Sequence, residues 1–262
     1  MFRQRSIRLT LGASVLALAA ACGGGSPAAP ALTDPVDILV QSVQALDDVK
    51  TFRADVAVSG SVNVDAMGTG QAQAFPLDNT TAQLDVDVEN TNARATFSAP
   101  SLLGASGELI QIGNTSYVKT SFTGPQYQKS ESTEAGAVEG ATNMSDEDIA
   151  QLREQLSKPE VAPTKGDDVA CGDKQCYQVS IDLTSDELQS LDDELPTEEV
   201  PTDLTNANVN VTFQIEKDTL RPAAIDVTAD MGTEGNVTIN VDFSNWDEPV
   251  TIEAPPADQV QS

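Results

Sequence analysis

The sequence predicts an α+β fold: one large, curved antiparallel sheet with helices gathered on one face. Two observations carry this expectation. Most of the chain from Thr51 onward alternates apolar and polar residues with a period of two, the pattern of strands with one dry face and one wet face. Three short stretches instead repeat apolar residues every three or four positions, and they interrupt the strands in the order helix, strands, two helices, strands.

The first helix is expected from about Asp34 to Asp47. Thr33 or Asp34 can cap it, Pro35 suits its first turn, and Val36, Leu39, Val40, Val43 and Leu46 form its stripe. Strands follow. Val56, Val58, Val62 and Val64 alternate with polar residues, as do Leu84, Val86 and Val88. Ala93, Ala95 and Phe97 continue the pattern, as do Ile110 and Ile112, with shorter strands at Tyr117 to Thr120 and Tyr127 to Ser130. Glu131 to Asn143 is poor in apolar residues and reads as loop. Ser145 with Asp148 three residues on resembles a capping box for a helix to Lys158, striped by Ile149, Leu152 and Leu156. Val169 to Leu183 reads as a hairpin. A third helix, capped by Thr184 or Ser185, carries Leu188, Leu191 and Leu195, and Pro196 to Pro201 is an acidic linker. The last third is strand: Val209 to Ile215, Ile225 with Val227, Val237 to Phe243, and an edge strand at Val250 and Ile252.

The N-terminus reads as an export signal. Arg3, Arg5 and Arg8 precede a largely apolar run from Leu9 to Ala21, shorter than the roughly 20 residues that span a bilayer. Leu18-Ala19-Ala20-Ala21-Cys22 then leads into Gly23-Gly24-Gly25-Ser26, an arrangement that resembles a lipobox with its leucine one place early. A thiol beside a glycine run has no packing role, so acylation of Cys22, palmitate included, accounts for it better than an incidental cysteine does. The expected organisation is a signal peptide at 1–21, a lipidated linker at 22–32, one domain at 33–256 and a disordered tail at 257–262.

Cleavage after residue 21 would remove three of the 14 bases and none of the 41 acids. The remainder, 11 bases against 41 acids, carries a net charge of −30. Such a chain lacks the Lys and Arg that neutralise phosphates, which excludes nucleic acid as a partner. It would be held at a membrane by acyl chains, not by a basic patch. With Cys22 acylated, Cys171 and Cys176 form an even pair in an oxidising compartment. They read as a disulfide closing a tight loop, with an entropic contribution of about 1–2 kcal/mol; a metal or redox pair is the alternative reading.

Nothing in the sequence argues for an enzyme, a metal or a cofactor. The chain has no histidine, the commonest general base and neutral metal ligand. Carboxylate pairs such as Asp47-Asp48 and Asp192-Asp193 are expected by chance among 41 acids. Asp182 to Glu187 lacks the spacing and central glycine of a calcium loop. The pattern does point to an inner sheet face of Val and Ala, with only seven Phe, three Tyr and one Trp in the whole chain. Side chains that small fill a concave face poorly, which leaves either a cavity for apolar ligands or a core plugged by the helices.

Four stretches give the chain a family resemblance: Val40 to Val58; Ile112-Gly113-Asn114-Thr115-Ser116-Tyr117-Val118-Lys119; Tyr177 to Leu191; and Phe243-Ser244-Asn245-Trp246-Asp247-Glu248-Pro249-Val250-Thr251-Ile252 with Ala254-Pro255-Pro256. In this order, behind a lipobox, they resemble the actinobacterial lipoproteins LprG, LprA, LprF and LppX. The resemblance implies a half-barrel sheet with helices on its concave side, similar to the carrier LolA. It also implies a cavity for the acyl chains of lipids or glycolipids moved outward from the plasma membrane, and no catalytic residues. The acidity, the Cys171/Cys176 pair and the insert near Glu131 to Asp148 depart from the family.

The resulting expectation is a monomeric, non-enzymatic lipoprotein on the extracytoplasmic face of the cell membrane, working with an envelope export partner. Val56, Val58, Val86, Val88, Val211, Phe213, Val227, Ile239 and Val241 would line its lipid cavity. The competing expectation is a scaffold or binding lipoprotein with a packed core and an acidic interaction surface.

Overall fold

A computed structural model describes residues 31–64, 73–131, 145–192 and 207–261. The expected signal peptide, Cys22, nearly all of the linker, the loop at 132–143 and the acidic linker at 196–201 lie outside the described residues.

Among the described residues, three α-helices break the chain of strands. α1 (Pro35–Gln44) starts at Asp34, whose carboxylate accepts from the amides of Val36 and Asp37, satisfying donors that a helix start leaves bare. α2 (Asp146–Leu156) carries the capping box its sequence announces. The Ser145 hydroxyl receives the Asp148 amide, and the Asp148 carboxylate receives the Ser145 amide. At the head of α3 (Ser185–Asp192), both the amide and the hydroxyl of Thr184 donate to Glu187.

The strands are β1 (Thr51–Val64), β2 (Gln73–Pro76), β3 (Thr80–Asp87), β4 (Asn92–Ala99), β5 (Ala105–Ile112), β6 (Thr115–Thr120) and β7 (Gln128–Glu131) before α2. After it come β8 (Thr164–Lys165), β9 (Val169–Cys171), β10 (Lys174–Leu183), β11 (Asn208–Glu216), β12 (Pro222–Asp230) and β13 (Gly235–Ser244). They form one antiparallel sheet in the order β7-β6-β5-β4-β3-β1-β13-β12-β11-β10-β8, with β2 beside β1 and β9 beside β10. The sheet is curved and unclosed: an α+β half-barrel. Its two halves are meanders joined where β1 pairs with β13, from Arg53↔Ser244 to Val62↔Gly235. Backbone crowding is severe at the end of that seam. A Cβ on Gly60 would lie 2.2 Å from the Asn236 carbonyl oxygen, and one on Gly235 would lie 2.1 Å from that of Ser61. Both glycines have positive φ, 109° and 117°, which side-chain-bearing residues rarely adopt.

Register shows which residues share a face, because residues opposite one another in an antiparallel pair point the same way. Tyr177, Val179 and Ile181 of β10 and Phe213 and Ile215 of β11 share the face on which α1 and α2 lie. There they form the core with Ile38, Leu39, Val40 and Leu156. The Tyr177 hydroxyl accepts from the Leu32 amide at 3.0 Å, fastening the chain entering α1 to the sheet. The other face is polar. Its acids are matched across strands: Arg53 with Asp85 at 2.7 Å, Gln83 with Asp55 at 2.7 Å, Asn240 with Asp226 and Asn210 with Asp182.

Three local expectations change. Val250 and Ile252 form no strand; residues 249–256 run without ladder pairing. The expected tail is tied down: Ala257–Gln259 makes a 3₁₀ turn, and Tyr127 exchanges backbone hydrogen bonds with Gln259 and Gln261 at 2.8 Å each. Ile110 faces the polar side, opposite in parity to Leu109, yet it is buried. It lies with Tyr127 at a hollow that Pro255 and Pro256 also line. A C-terminal crossing, not the sheet's inner face, buries this isoleucine.

Cys171 and Cys176 are joined by a disulfide across the β9–β10 hairpin, with Cα atoms 5.9 Å apart, within the usual span for such a bridge.

Candidate functional site

The inner face is the candidate site. Starting at β10, one cross-strand row reads Val179, Phe213, Ile225, Val241, Val56, Ala82, Phe97 and Gly107. A second reads Ile181, Val211, Val227, Ile239 and Val58. A third runs Phe243, Ala54, Leu84, Ala95, Leu109 and Val118. No charged residue interrupts any of them. The eight strands of the first row, at about 4.8 Å per step, span about 34 Å.

Among the described residues, helices cover one end of this surface. α1 supplies Leu39, Ser42 and Val43, and α2 supplies Leu152 and Leu156. Together with Leu46, just past α1, they close over Ile181, Phe213, Ile215, Pro222 and Ile225. An apolar cavity of about 250 Å³ remains between them. Isoleucines, Phe213 and Pro222 on the sheet side leave a gap that the helix leucines do not fill completely. Further along, Val241, Val56, Ala82 and Leu84 are half-buried, and Phe97 is 41% exposed. Phe97 lies across Gly107, where an added Cβ would meet the ring at 2.5 Å. Glycine therefore lets an aromatic ring lie flat on the sheet.

Of the nine expected lining residues, Val56, Val58, Val86, Val211, Phe213, Val227, Ile239 and Val241 occupy this face by register. Val88, just beyond β3, packs with Phe52, Leu84, Val86 and Ala93 in a smaller cluster at the margin. Phe213 alone among the nine lines the cavity under the helices. The helix contributions Leu39, Val43, Leu46, Leu152 and Leu156 were legible as apolar stripes, but the sequence gives no sign that a space stays open beneath them. At the margin Trp246 stacks on Phe52 and Phe243 with centroids 5.4 and 5.8 Å away, and the two phenyl rings are tilted to each other at 6.4 Å. Arg221 lies over the Trp246 ring at 5.6 Å and is paired with Asp247.

The titratable groups with shifted ionisation are held by neighbours that tie elements of the fold together. Burial works against the Glu108 carboxylate. Hydrogen bonds from Tyr127 and Arg94, with the charges of Arg94 and Lys119, outweigh it and hold the group below its ordinary range. Asp168 is lowered by hydrogen bonds from Lys217 and Lys165, and Asp247 by the Lys50 amide and Arg221. Among the described residues no group of three or more His, Cys, Asp or Glu could hold a metal ion, and no helix is long and apolar enough to cross a membrane. Of the hollows larger than the cavity under the helices, those of about 510 and 680 Å³ are open and lined mainly by polar-face residues such as Asp55, Gln83, Asp226 and Asp242.

No family model and no curated protein matches the chain. Solved structures do. The lipoprotein LppX of Mycobacterium tuberculosis is 15% identical, with 84% of this chain and 98% of that one covered at a TM-score of 0.46. LprF from Mycobacterium bovis is 18% identical, covering 84% and 96%, with a TM-score of 0.48. A putative outer membrane lipoprotein-sorting protein domain from Vibrio parahaemolyticus is 8% identical, covering 82% and 93%, with a TM-score of 0.28. LppX and LprF bear the names of the family that the sequence resembles. At such identities, function has to be argued from this chain's own residues.

Proposed function

We propose that the chain is a membrane-anchored extracytoplasmic lipoprotein that binds acyl chains of a lipid or glycolipid on its inner sheet face and carries them outward from the plasma membrane. One observation carries the reading: an unbroken apolar surface about 34 Å long, roofed at one end by helices and with no helix over its other end among the described residues. An acyl chain that spans half of a roughly 30 Å bilayer core fits within that length. Its tip would enter the cavity at Phe213 and Ile225, and its shaft would lie along Val241, Val56, Val58 and Ile239. Cys22 would provide the anchor.

The energetics suit a carrier. Burial of a methylene from water contributes about 0.8 kcal/mol, but a chain leaving a bilayer is already dry, so cavity and membrane compete on near-equal terms. A half-open groove of small side chains offers that balance, where a fully enclosed pocket would retain its cargo.

The scaffold reading has one observation in its favour. The cavity under the helices, about 250 Å³, is below the roughly 300–1,000 Å³ usual for small-molecule pockets. Organic extraction of the purified protein followed by mass spectrometry separates the two. Co-purified lipid, depleted in a Val56→Asp variant, is expected; consistent absence of lipid from the intact chain would leave the scaffold reading standing.

A further inference from the structure

Three polar or charged residues are buried among the described residues: Ser42, Gln111 and Glu216. Two of them have partners. The Gln111 amide group donates to the Gly113 carbonyl at 3.1 Å, and Glu216 accepts from Lys174 at 2.7 Å and from the Thr219 hydroxyl. Ser42, on α1, is only 7% exposed, yet its hydroxyl makes no hydrogen bond among the described residues. A helix serine can satisfy itself on the carbonyl four residues back. Ser157, just past α2, does so with Arg153 at 2.7 Å; Ser42 does not.

Ser42 lines the cavity of about 250 Å³ under the helices, and every other residue around that space is Leu, Ile, Val, Phe or Pro. An unpaired hydroxyl in such surroundings is costly, and alanine would suit the interior of α1 better. A buried water needs two to four polar partners. The lining offers one polar side chain, so water is a poor occupant. The fold thus holds a hydrogen-bonding group at the cavity with no group of its own to meet it. A methylene takes up about as much room as a water in the liquid, about 30 Å³, so a cavity of about 250 Å³ admits about the last eight carbons of one chain.

We infer that the cavity selects an acyl chain carrying an oxygen substituent (ketone, ether or hydroxyl) within about its last eight carbons, with the Ser42 hydroxyl donating to that oxygen. The inference rests on the carrier reading of the inner face and gives its cargo a chemical class. A plain chain would leave the Ser42 hydroxyl buried and unpaired, and a site holding an unpaired polar group disfavours the ligand that lacks its partner. Position along the chain matters as well. An oxygen nearer the headgroup would lie along Val241, Val56 and Ile239, among rows of apolar side chains that offer it no donor.

The test is equilibrium dialysis of the full chain against radiolabelled glycerol monoesters of octadecanoic, 12-oxooctadecanoic and 5-oxooctadecanoic acids. Uncharged esters avoid repulsion by the acidic surface. The 12-oxo group falls within the span that the cavity admits, and the 5-oxo group falls outside it. The affinity of the 12-oxo ester relative to the plain ester should be about three- to tenfold higher in the parent chain than in Ser42→Ala, the worth of one buried hydrogen bond. The 5-oxo ratio should be the same in both chains. An equal 12-oxo ratio, or a 5-oxo ratio shifted as far, would overturn this inference and leave the carrier reading standing; no binding of any ester would overturn both. Without ligand, Ser42→Ala should unfold at an equal or higher denaturant midpoint. A lower midpoint would show that the fold itself partners the hydroxyl, and would overturn the inference as well.

Discussion

The two ends of the inner face differ in what covers them. At β10–β12, valines and isoleucines meet helix leucines, and Ile38, Val40, Val179 and Ile215 are almost wholly buried. At β4–β6 the same alternation presents Ala95, Phe97, Leu109 and Val118 with no described helix above them, and the strands are instead secured from the polar side by Glu108, Tyr127 and the C-terminal crossing. The comparison teaches that apolar alternation along a strand specifies a dry face but not its cover. One half of the sheet spends that surface on stability, and no described helix takes up the other half.

If that division is correct, substitutions should separate by end. Ile38→Ala, in the covered half, should cost about 2–5 kcal/mol, read as a lower denaturant midpoint. Gly107→Ala should cost about 1–3 kcal/mol, because its Cβ would meet the Phe97 ring at 2.5 Å and the Lys119 carbonyl oxygen at 2.8 Å; adding Phe97→Ala should recover only the part due to the ring. Reducing the Cys171–Cys176 bridge should cost about 2 kcal/mol, the small loop limiting its effect on the unfolded chain. It should also leave the bare half unchanged, as hydrogen exchange can report.

A smaller effect is expected in acid. Glu108 is lowered in the folded state, so its contribution is complete above the ordinary glutamate range and fades as pH falls through the folded value. Glu108→Gln should therefore destabilise at pH 7 by about 1–2 kcal/mol, and the difference from the parent chain should shrink below about pH 4. A constant difference across that range would mean that the carboxylate's charge is not what matters. Smallest of all should be Phe97→Ala on stability, under about 1 kcal/mol for a ring left 41% exposed. The same variant should measurably lower the amount of co-purified lipid. A large loss of stability would show that the bare half is packed after all.

Much of this was legible in the chain itself. Period-two alternation separated Val56, Val58, Val241 and Ile239 from their polar neighbours, and register then carried them to one face. The capping residues Asp34 and Ser145 marked the starts of α1 and α2, because unpaired amides at a helix start demand a nearby acceptor. Local rules failed where partners are distant. Val250 and Ile252 have strand chemistry but no strand to pair with. Ile110 has an inner-face residue type and an outer-face register, and it is buried by a segment more than a hundred residues away.

The sequence by itself determined the strands, the helices, their order and the single dry face, since each follows from residues a few positions apart. Only the tertiary structure decided which part of that face the helices cover and how much space they leave under Leu39 and Leu156. Those depend on shape-matching between side chains remote in sequence, and no periodicity along the chain encodes it.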